Sequence, residues 1–166
     1  MTDVTLVPWS DDDLATLRRG NTPELTAFLG GPESDDQLAA RHARYLRMQA
    51  EGTARMFRVA TFEHPEGIGT IGYWDDAHHP GAVETGWSIE SAHQGRGAAT
   101  AAVLAMLADV RAVRGDAEVR AYPRVANEAS NAICRKAGFV LAGQEEFEYP
   151  KGHFERSNVW VFRPVR

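Results

Sequence analysis

The chain has 166 residues, 43% of them apolar and 25% charged, with a formal net charge of −5. That length suits one domain, residues 1–166, and the composition is that of a globular protein rather than a disordered or fibrous one. The acidic balance argues against a nucleic-acid or anionic-membrane binder, and a lone cysteine, Cys134, excludes an intrachain disulfide. The first residues, Met1-Thr2-Asp3-Val4-Thr5, show no basic segment followed by an apolar run. The longest apolar stretch, residues 101–108, is far short of the roughly 18 residues that span a bilayer. A cytoplasmic protein is expected.

In chain order, residues 4–9 alternate Val4, Leu6 and Trp9 around Val7-Pro8 and predict a first strand. Pro8 has no N–H to give to a ladder, which places this strand at or near a sheet edge. Ser10 followed by Asp11-Asp12-Asp13 reads as an N-cap and an acidic first turn, and Leu14 and Leu17 carry a short helix to Gly20. Thr22-Pro23-Glu24 predicts a second helix, with Thr22 as cap and Pro23 in its first turn, stopped by Gly30-Gly31-Pro32. Ser34 predicts the cap of a third, residues 35–51, with Leu38, His42, Tyr45, Leu46 and Gln49 on one face. Strands at 55–62 and 68–74 make a hairpin around 63–67. The next loop holds Asp76, His78 and His79, but no further ligand at a recognised spacing, so a polar loop is expected and no metal.

Residues 83–89 predict a strand and residues 98–113, rich in Ala and Leu without Gly or Pro, a helix. That helix is apolar almost all round from Ala98 to Leu107, which predicts burial on more than one side. Residues 118–122 form a strand that Pro123 ends. Asn127 to Phe139 carries both ends of a short helix. Asn127 suits an N-cap over the Ser130 N–H, Gly138 suits the left-handed position after the helix, and Phe139 is set to pack on Cys134. Residues 139–149 and 154–165 then read as a final hairpin around Pro150-Lys151-Gly152.

Between the strand at 83–89 and the long helix lies Gln94-Gly95-Arg96-Gly97. The first N–H groups of a helix have no intrahelical partner, and the helix dipole adds about half a positive charge at that end, so it attracts phosphate. Glycine lets a ligand approach the backbone closely. A plain strand-to-helix connection containing two glycines reads the same way. The dinucleotide fingerprint G-x-G-x-x-G fits less well: its third glycine is Thr100 here, and the acid about 20 residues on, Glu118, opens the next strand instead of closing it.

The order is strand, helices, three strands, buried helix, strand, short helix, two strands. With Gln94-Gly95-Arg96-Gly97-Ala98 opening the buried helix and N-E-A-S-N-A-I-C-R-K-A-G-F following the fifth strand, the chain resembles the GNAT acyltransferases over its whole length. Within them it is most similar to the branch containing the ribosomal-protein alanine N-acetyltransferases. The family's Q/R-x-x-G-x-G/A signature is matched only in part. The resemblance implies an α/β (α+β) fold with a mixed, mostly antiparallel central sheet of six to seven strands flanked by helices. It also implies acetyl-CoA as co-substrate and an amine acceptor, small molecule or peptide N-terminus. A homodimer is left open.

For the cofactor the resemblance implies that Gln94, Gly95, Arg96, Gly97, Ala98 and Ala99 bind pyrophosphate. Ile89 would offer its backbone to pantetheine as an added strand does. Asn127 and Asn131 would approach from the other side, with Arg135 a further candidate for the nucleotide phosphate. Helix capping is an equal reading for Asn127. A neutral amine is needed for attack, whereas a lysine-type amine has a pKa of about 10.4 and an α-amine about 8, so a base must take its proton. Glu84, in E-T-G-W, is the candidate base; an exposed strand-end carboxylate is its plain alternative. Many family members have Tyr where this chain has Cys134, which puts the usual acid in doubt; Ser130 is the candidate to hydrogen-bond the thioester sulfur, and Cys134 reads as core. Phe28, Trp74 and Tyr149 are candidates to line the acceptor site, with Trp87 read as core, and Asp75, Asp76 and Glu84 would supply charge for a cationic amine. A non-catalytic acyl-CoA-binding domain is the alternative function.

Overall fold

The computed structural model describes residues 2–165. The strands are β1 (Thr5–Pro8), β2 (Ala54–Ala60), β3 (Gly69–Asp75), β4 (Val83–Ile89), β5 (Val119–Ala121), β6 (Val140–Glu148) and β7 (Phe154–Phe162). They form one seven-stranded sheet in the order β1-β2-β3-β4-β5-β7-β6. Every neighbouring pair is antiparallel except β4 and β5. That parallel pair needs a crossover, and α3 (Ala98–Arg114) supplies it. β1 lies at one edge, where Pro8 costs no ladder bond. At the other end the final hairpin enters with β7 inward and β6 at the rim.

The sheet has two unlike faces. On one, α3 places Ala102, Val103, Met106 and Val110 against Ile71, Tyr73, Val83 and Ile89, all almost fully buried. Each such aliphatic side chain contributes roughly 1.5–3 kcal/mol relative to exposure. α4 (Glu128–Lys136) adds Cys134 to the same core, and the chain after it adds Phe139. The helix is not buried on more than one side, however: Leu104 and Val113 are exposed. Its alanines make the back as apolar as the front without covering it.

On the other face α1 (Leu14–Arg19) and α2 (Asp35–Glu51) enclose a smaller core of Trp9, Leu17, Leu38 and Met56. α2 begins with a reciprocal capping box between Ser34 and Gln37, and Gly52 ends it in the left-handed conformation (φ 78°). The face expected from its sequence docks on Trp9. The indole N–H donates to His42 Nδ1 (3.0 Å), Tyr45 meets the ring edge-on, and Gln49 donates to the Trp9 carbonyl (3.0 Å) while accepting from the Met56 N–H (3.1 Å). Residues 22–30 are a run of turns rather than the expected helix. Thr22 does receive the Leu25 N–H (3.3 Å), but Gly30 and Gly31 both have φ near 90°, and the chain turns back before a helix is established. Among the described residues no helix is long and apolar enough to cross a membrane.

Candidate active site

Among the described residues the parallel pair, β4 and β5, is also the shortest pairing in the sheet. β4 and β5 pair at Val83–Val119 and Glu84–Arg120 and then part. The Val83 N–H donates to the Glu118 carbonyl (2.9 Å), so Val83 turns its main chain toward β5. By the two-residue repeat of a strand, Trp87 and Ile89 turn theirs the same way, beyond the end of the pairing. The Glu90 N–H donating to Ile68 on β3 (2.8 Å) fixes the same phase. β4 therefore presents main-chain donors and acceptors to an open gap. Gln94 Nε2 donates to the Ile89 carbonyl (2.8 Å), tying the end of β4 to the turn before α3.

In that turn Gly95 (φ 75°) and Gly97 (φ 82°) are left-handed, and a Cβ on either would meet no atom within 4 Å. The space over both is open. The first helical bond runs from the Ala101 N–H to the Gly97 carbonyl (3.0 Å), so the N–H groups of Ala98, Ala99 and Thr100 have no acceptor within the helix. A phosphate fits such an end, and an extended amide chain fits the free edge of β4 leading to it.

Glu84 stands where β4 and β5 part, half-buried, with Trp74 opposite on β3 and Arg120 opposite on β5. Its carboxyl is pushed up from the ordinary 4.5 to about 7, chiefly because burial disfavours the charged form. The Trp74 indole opposes the rise and the Asp76 carboxylate adds to it. A carboxyl titrating near neutrality can exchange protons with an amine at working pH.

On the same face of the sheet a cavity of about 230 Å³ lies between residues 16–41, the far end of β4 and the tip of the last hairpin. Ser88 and Glu90 floor it, and Leu25, Thr26, Leu29, Glu33 and Arg41 wall it. Tyr149 lines it; Phe28 does not, its neighbours Leu25, Thr26 and Leu29 taking that place. Trp74 stands instead beside Glu84, against the smaller core. Ser88 is roughly 13 Å along the strand from Glu84, so the carboxyl shares the cavity's face of the sheet but lies outside its lining. Trp87 packs on the opposite face, against the α3 core.

The expected acidic lining is corrected by pairing. Glu33 meets Arg41 (2.7 Å) and Glu90 meets Arg19 (3.3 Å), so the cavity's acids are largely neutralised. Asp75 is bound by Arg114 (2.7 Å) and does not line the cavity. Asp76 is buried and accepts from the N–H groups of His78 (2.8 Å) and His79 (3.1 Å) and from Tyr122 (2.8 Å). Arg19, Arg41, Glu90 and Tyr122 were not singled out from the sequence; only alternation along β5 could have marked Tyr122 as sharing a face with Arg120.

α4 borders the gap. Asn127 caps it, its Oδ1 accepting the Ser130 N–H (3.2 Å), and Ser130 is half-buried in the first turn. Asn131 is corrected from cofactor ligand to clamp. Its Nδ2 donates to the carbonyls of Asn127 (2.7 Å) and Arg124 (3.0 Å), and its Oδ1 accepts from Asn158 (2.8 Å) and Trp160 (2.8 Å). Nothing on that buried amide is left for a ligand. The Cys134 thiol is fully buried and pushed up to about 12 by burial, which makes it an inert core group. Arg135 lies over the Trp160 ring, 5.5 Å from its centroid.

Three solved structures share this architecture. An acetyltransferase from Salmonella typhimurium that modifies the N-terminal serine of ribosomal protein L7/L12 is 20% identical, with a TM-score of 0.81 over 99% of this chain and 97% of that one. RimL, an L7/L12 α-N-protein acetyltransferase in complex with CoA disulfide-bonded to one of its own cysteines, is 18% identical, with a TM-score of 0.81 over 98% of this chain and 95% of that one. Spermidine N-acetyltransferase from Vibrio cholerae, in complex with CoA and spermine, is 19% identical, with a TM-score of 0.79 over 96% and 95%. No curated protein sequence matches the chain. Residues 3–140 match the family model of the acetyltransferase (GNAT) domain, and the chain belongs to that family.

Proposed function

We propose that this acetyltransferase moves the acetyl group of acetyl-CoA directly to a primary amine in a ternary complex. The observation that carries the proposal is Glu84: a half-buried carboxyl titrating near 7 where β4 and β5 part, on the face of the sheet that also bears the cavity. The Gly95-Arg96-Gly97 turn and the free N–H groups of Ala98 and Ala99 hold the pyrophosphate, with Arg96 adding charge. Trp87 and Ile89 pair with pantetheine through the main chain, and Gln94 holds Ile89 in place. Asn127, its oxygen spent on capping, offers only Nδ2. Glu84 takes the proton of the attacking amine, directly or through water. Ser130 hydrogen-bonds the departing sulfur, which as a thiol of pKa about 8.5 leaves with little help. The acceptor is a small amine or a peptide N-terminus whose body enters the cavity lined by Tyr149. A purely acyl-CoA-binding role gives no reason for a carboxyl to be raised at this point.

Release of free thiol from acetyl-CoA, measured against polyamines, aminoglycosides, amino acids and N-terminal peptides, tests the reading. Turnover with one amine class supports it. Turnover confined to hydroxyl or anionic acceptors overturns it.

A further inference from the structure

The cavity beside β4 has one wall whose chemistry the transfer reaction leaves unused. α2 brings Gln37 and Arg41 to it, spaced i and i+4 and so on one face of the helix, and Tyr149 joins them from the last hairpin. The two α2 side chains are rich in donors. Gln37 Oε1 accepts the Ser34 N–H (2.8 Å), which leaves Nε2 without an acceptor among the described residues. Arg41 Nη1 donates to the Tyr45 hydroxyl (3.1 Å) and Nη2 meets Glu33 (2.7 Å), while Nε is buried with no acceptor. A guanidinium carries more N–H groups than these partners use.

Charge on this side of the cavity is also unbalanced. The lining acids Glu33 and Glu90 are each met by an arginine, Arg41 and Arg19. Arg44, one turn beyond Arg41, is exposed and has no acid partner among the described residues. Burial raises the Tyr149 phenol, and Arg41 and Arg44 both oppose that rise, so both cations lie within charge range of it. A polyamine needs unpaired carboxylates along its length, and this lining offers none. A carboxylate, in contrast, meets unspent donors and a cation.

Distance decides where on the acceptor that carboxylate stands. Ser88, on the cavity floor, is roughly 13 Å along β4 from Glu84. An α-amino acid holds amine and carboxylate on one carbon and does not bridge such a gap. An extended peptide gains about 3.3–3.6 Å per residue, so a carboxylate two or three residues beyond the amine does.

We propose that Arg41, with Gln37 beside it, binds a carboxylate carried by the acceptor two or three residues from its amine, and so selects peptides that bear one there. The C-terminus of a short peptide and an acidic side chain near the N-terminus of a longer one supply the same chemistry. The proposal rests on the reading of Glu84 as base for that spacing; carboxylate binding itself is measurable without turnover. The probes are Ala-Ala-Ala amide, which has no carboxylate, Ala-Ala-Ala acid, Ala-Glu-Ala amide and Ala-Ala-Glu amide. Thiol release from acetyl-CoA gives kcat and KM for each, and calorimetric titration into CoA-saturated protein gives Kd. The peptides with a carboxylate should show KM and Kd lower by about 10-fold or more than Ala-Ala-Ala amide, with kcat little changed, as one charge-assisted pair provides. A preference confined to the acid identifies the C-terminal source, and one confined to the glutamate peptides the side-chain source; either supports the proposal. Arg41→Gln should remove the preference, and Arg41→Lys, which keeps the charge and loses the fork, should regain part of it. No preference in the parent protein overturns the proposal, as does a preference kept in Arg41→Gln. Should Arg41→Gln not fold, Glu33→Gln decides: removing the acid that competes for Arg41 should widen the preference, and an unchanged or narrower one overturns it. Failure of the transfer reading shows separately, as no thiol release with any of the peptides, while calorimetry still decides the role of Arg41.

Discussion

The turn before α3 and the cavity beside β4 are built in opposite ways. The turn and the start of α3 are one continuous stretch, 94–100, whose contribution is main chain: left-handed glycines, open space above them and N–H groups unbonded within the helix. The cavity is assembled from separate segments, residues 16–41, Gly69-Thr70, Ser88 and Glu90, and Tyr149-Pro150, and its character is set by side chains: Glu33 is tied to Arg41 and Glu90 to the distant Arg19. A site made of backbone depends on local conformation and shows in sequence. A site made of side chains depends on which segments meet, and one ion pair changes its character.

The sharpest way to break this contrast is at the turn. Gly97→Glu puts a side chain, a negative charge and an L-residue at φ 82° where the phosphate end must stay open. Acetyl-CoA binding measured by calorimetry should be lost, while the circular dichroism spectrum is kept. Acetyl-CoA at 100 times its dissociation constant should stabilise the parent by about 2.7 kcal/mol and this variant not at all. Unchanged affinity in a folded variant would show that the turn does not line the site.

The side-chain half is probed by Glu84→Gln. Turnover should fall by about 10²–10⁴ with acetyl-CoA affinity near wild type, and the defect should shrink at high pH, where more amine is already neutral. Stability should move the other way. A carboxyl raised from 4.5 to about 7 on folding favours the fold at pH below 4.5 and loses that contribution as pH rises through 7. Glu84 therefore costs the native state about 3 kcal/mol at pH 8 as an upper figure. The amide should melt higher than wild type at pH 8 and no higher at pH 4. An equal loss of turnover at every pH would make Glu84 a binding residue instead.

Asn131→Ala sharpens the boundary between the two halves. It strands the Trp160 and Asn158 donors in the core and should cost about 2–4 kcal/mol in chemical denaturation. Acetyl-CoA affinity of the folded fraction should be unchanged; a large affinity loss with little destabilisation would return Asn131 to the cofactor site. The smallest effect is expected from Arg135→Ala, which removes a partly exposed stacking contact on Trp160 and should cost less than about 1 kcal/mol, with little change in affinity.

Much of the architecture was legible because its signals are local. Ser34 and Gln37 mark the start of α2 and Gly52 its end. At the end of α4 the Phe139 N–H donates to the Cys134 carbonyl (3.0 Å) and the Gly138 N–H to that of Arg135 (3.2 Å), the double bond pattern that a glycine in this position announces. Residues 22–30 misled because Thr22-Pro23 is a valid helix start, while Gly30 and Gly31, both at φ near 90°, turn the chain back before a helix is established. α3 misled because hydrophobic pattern reports what can be buried and not what is covered. Asn131 misled because a carboxamide is equally suited to a ligand and to a core, and only its partners on β7 distinguish them.

By itself, then, the sequence determined the order of the elements, their caps, the phosphate-attracting turn and the family. The elements, caps and turn rest on interactions within a few residues, on periodicity, or on main-chain geometry, and the family on the resemblance of the motifs at 94–98 and 127–139. The tertiary structure alone decided that β4 and β5 part after Glu84, that burial and Asp76 raise that carboxyl to about 7, and that Glu33 and Glu90 enter the cavity already paired. Desolvation and charge pairing belong to the packing of distant segments: Arg19 and Glu90, or Tyr122 and Asp76, carry no mark in the chain that they will meet.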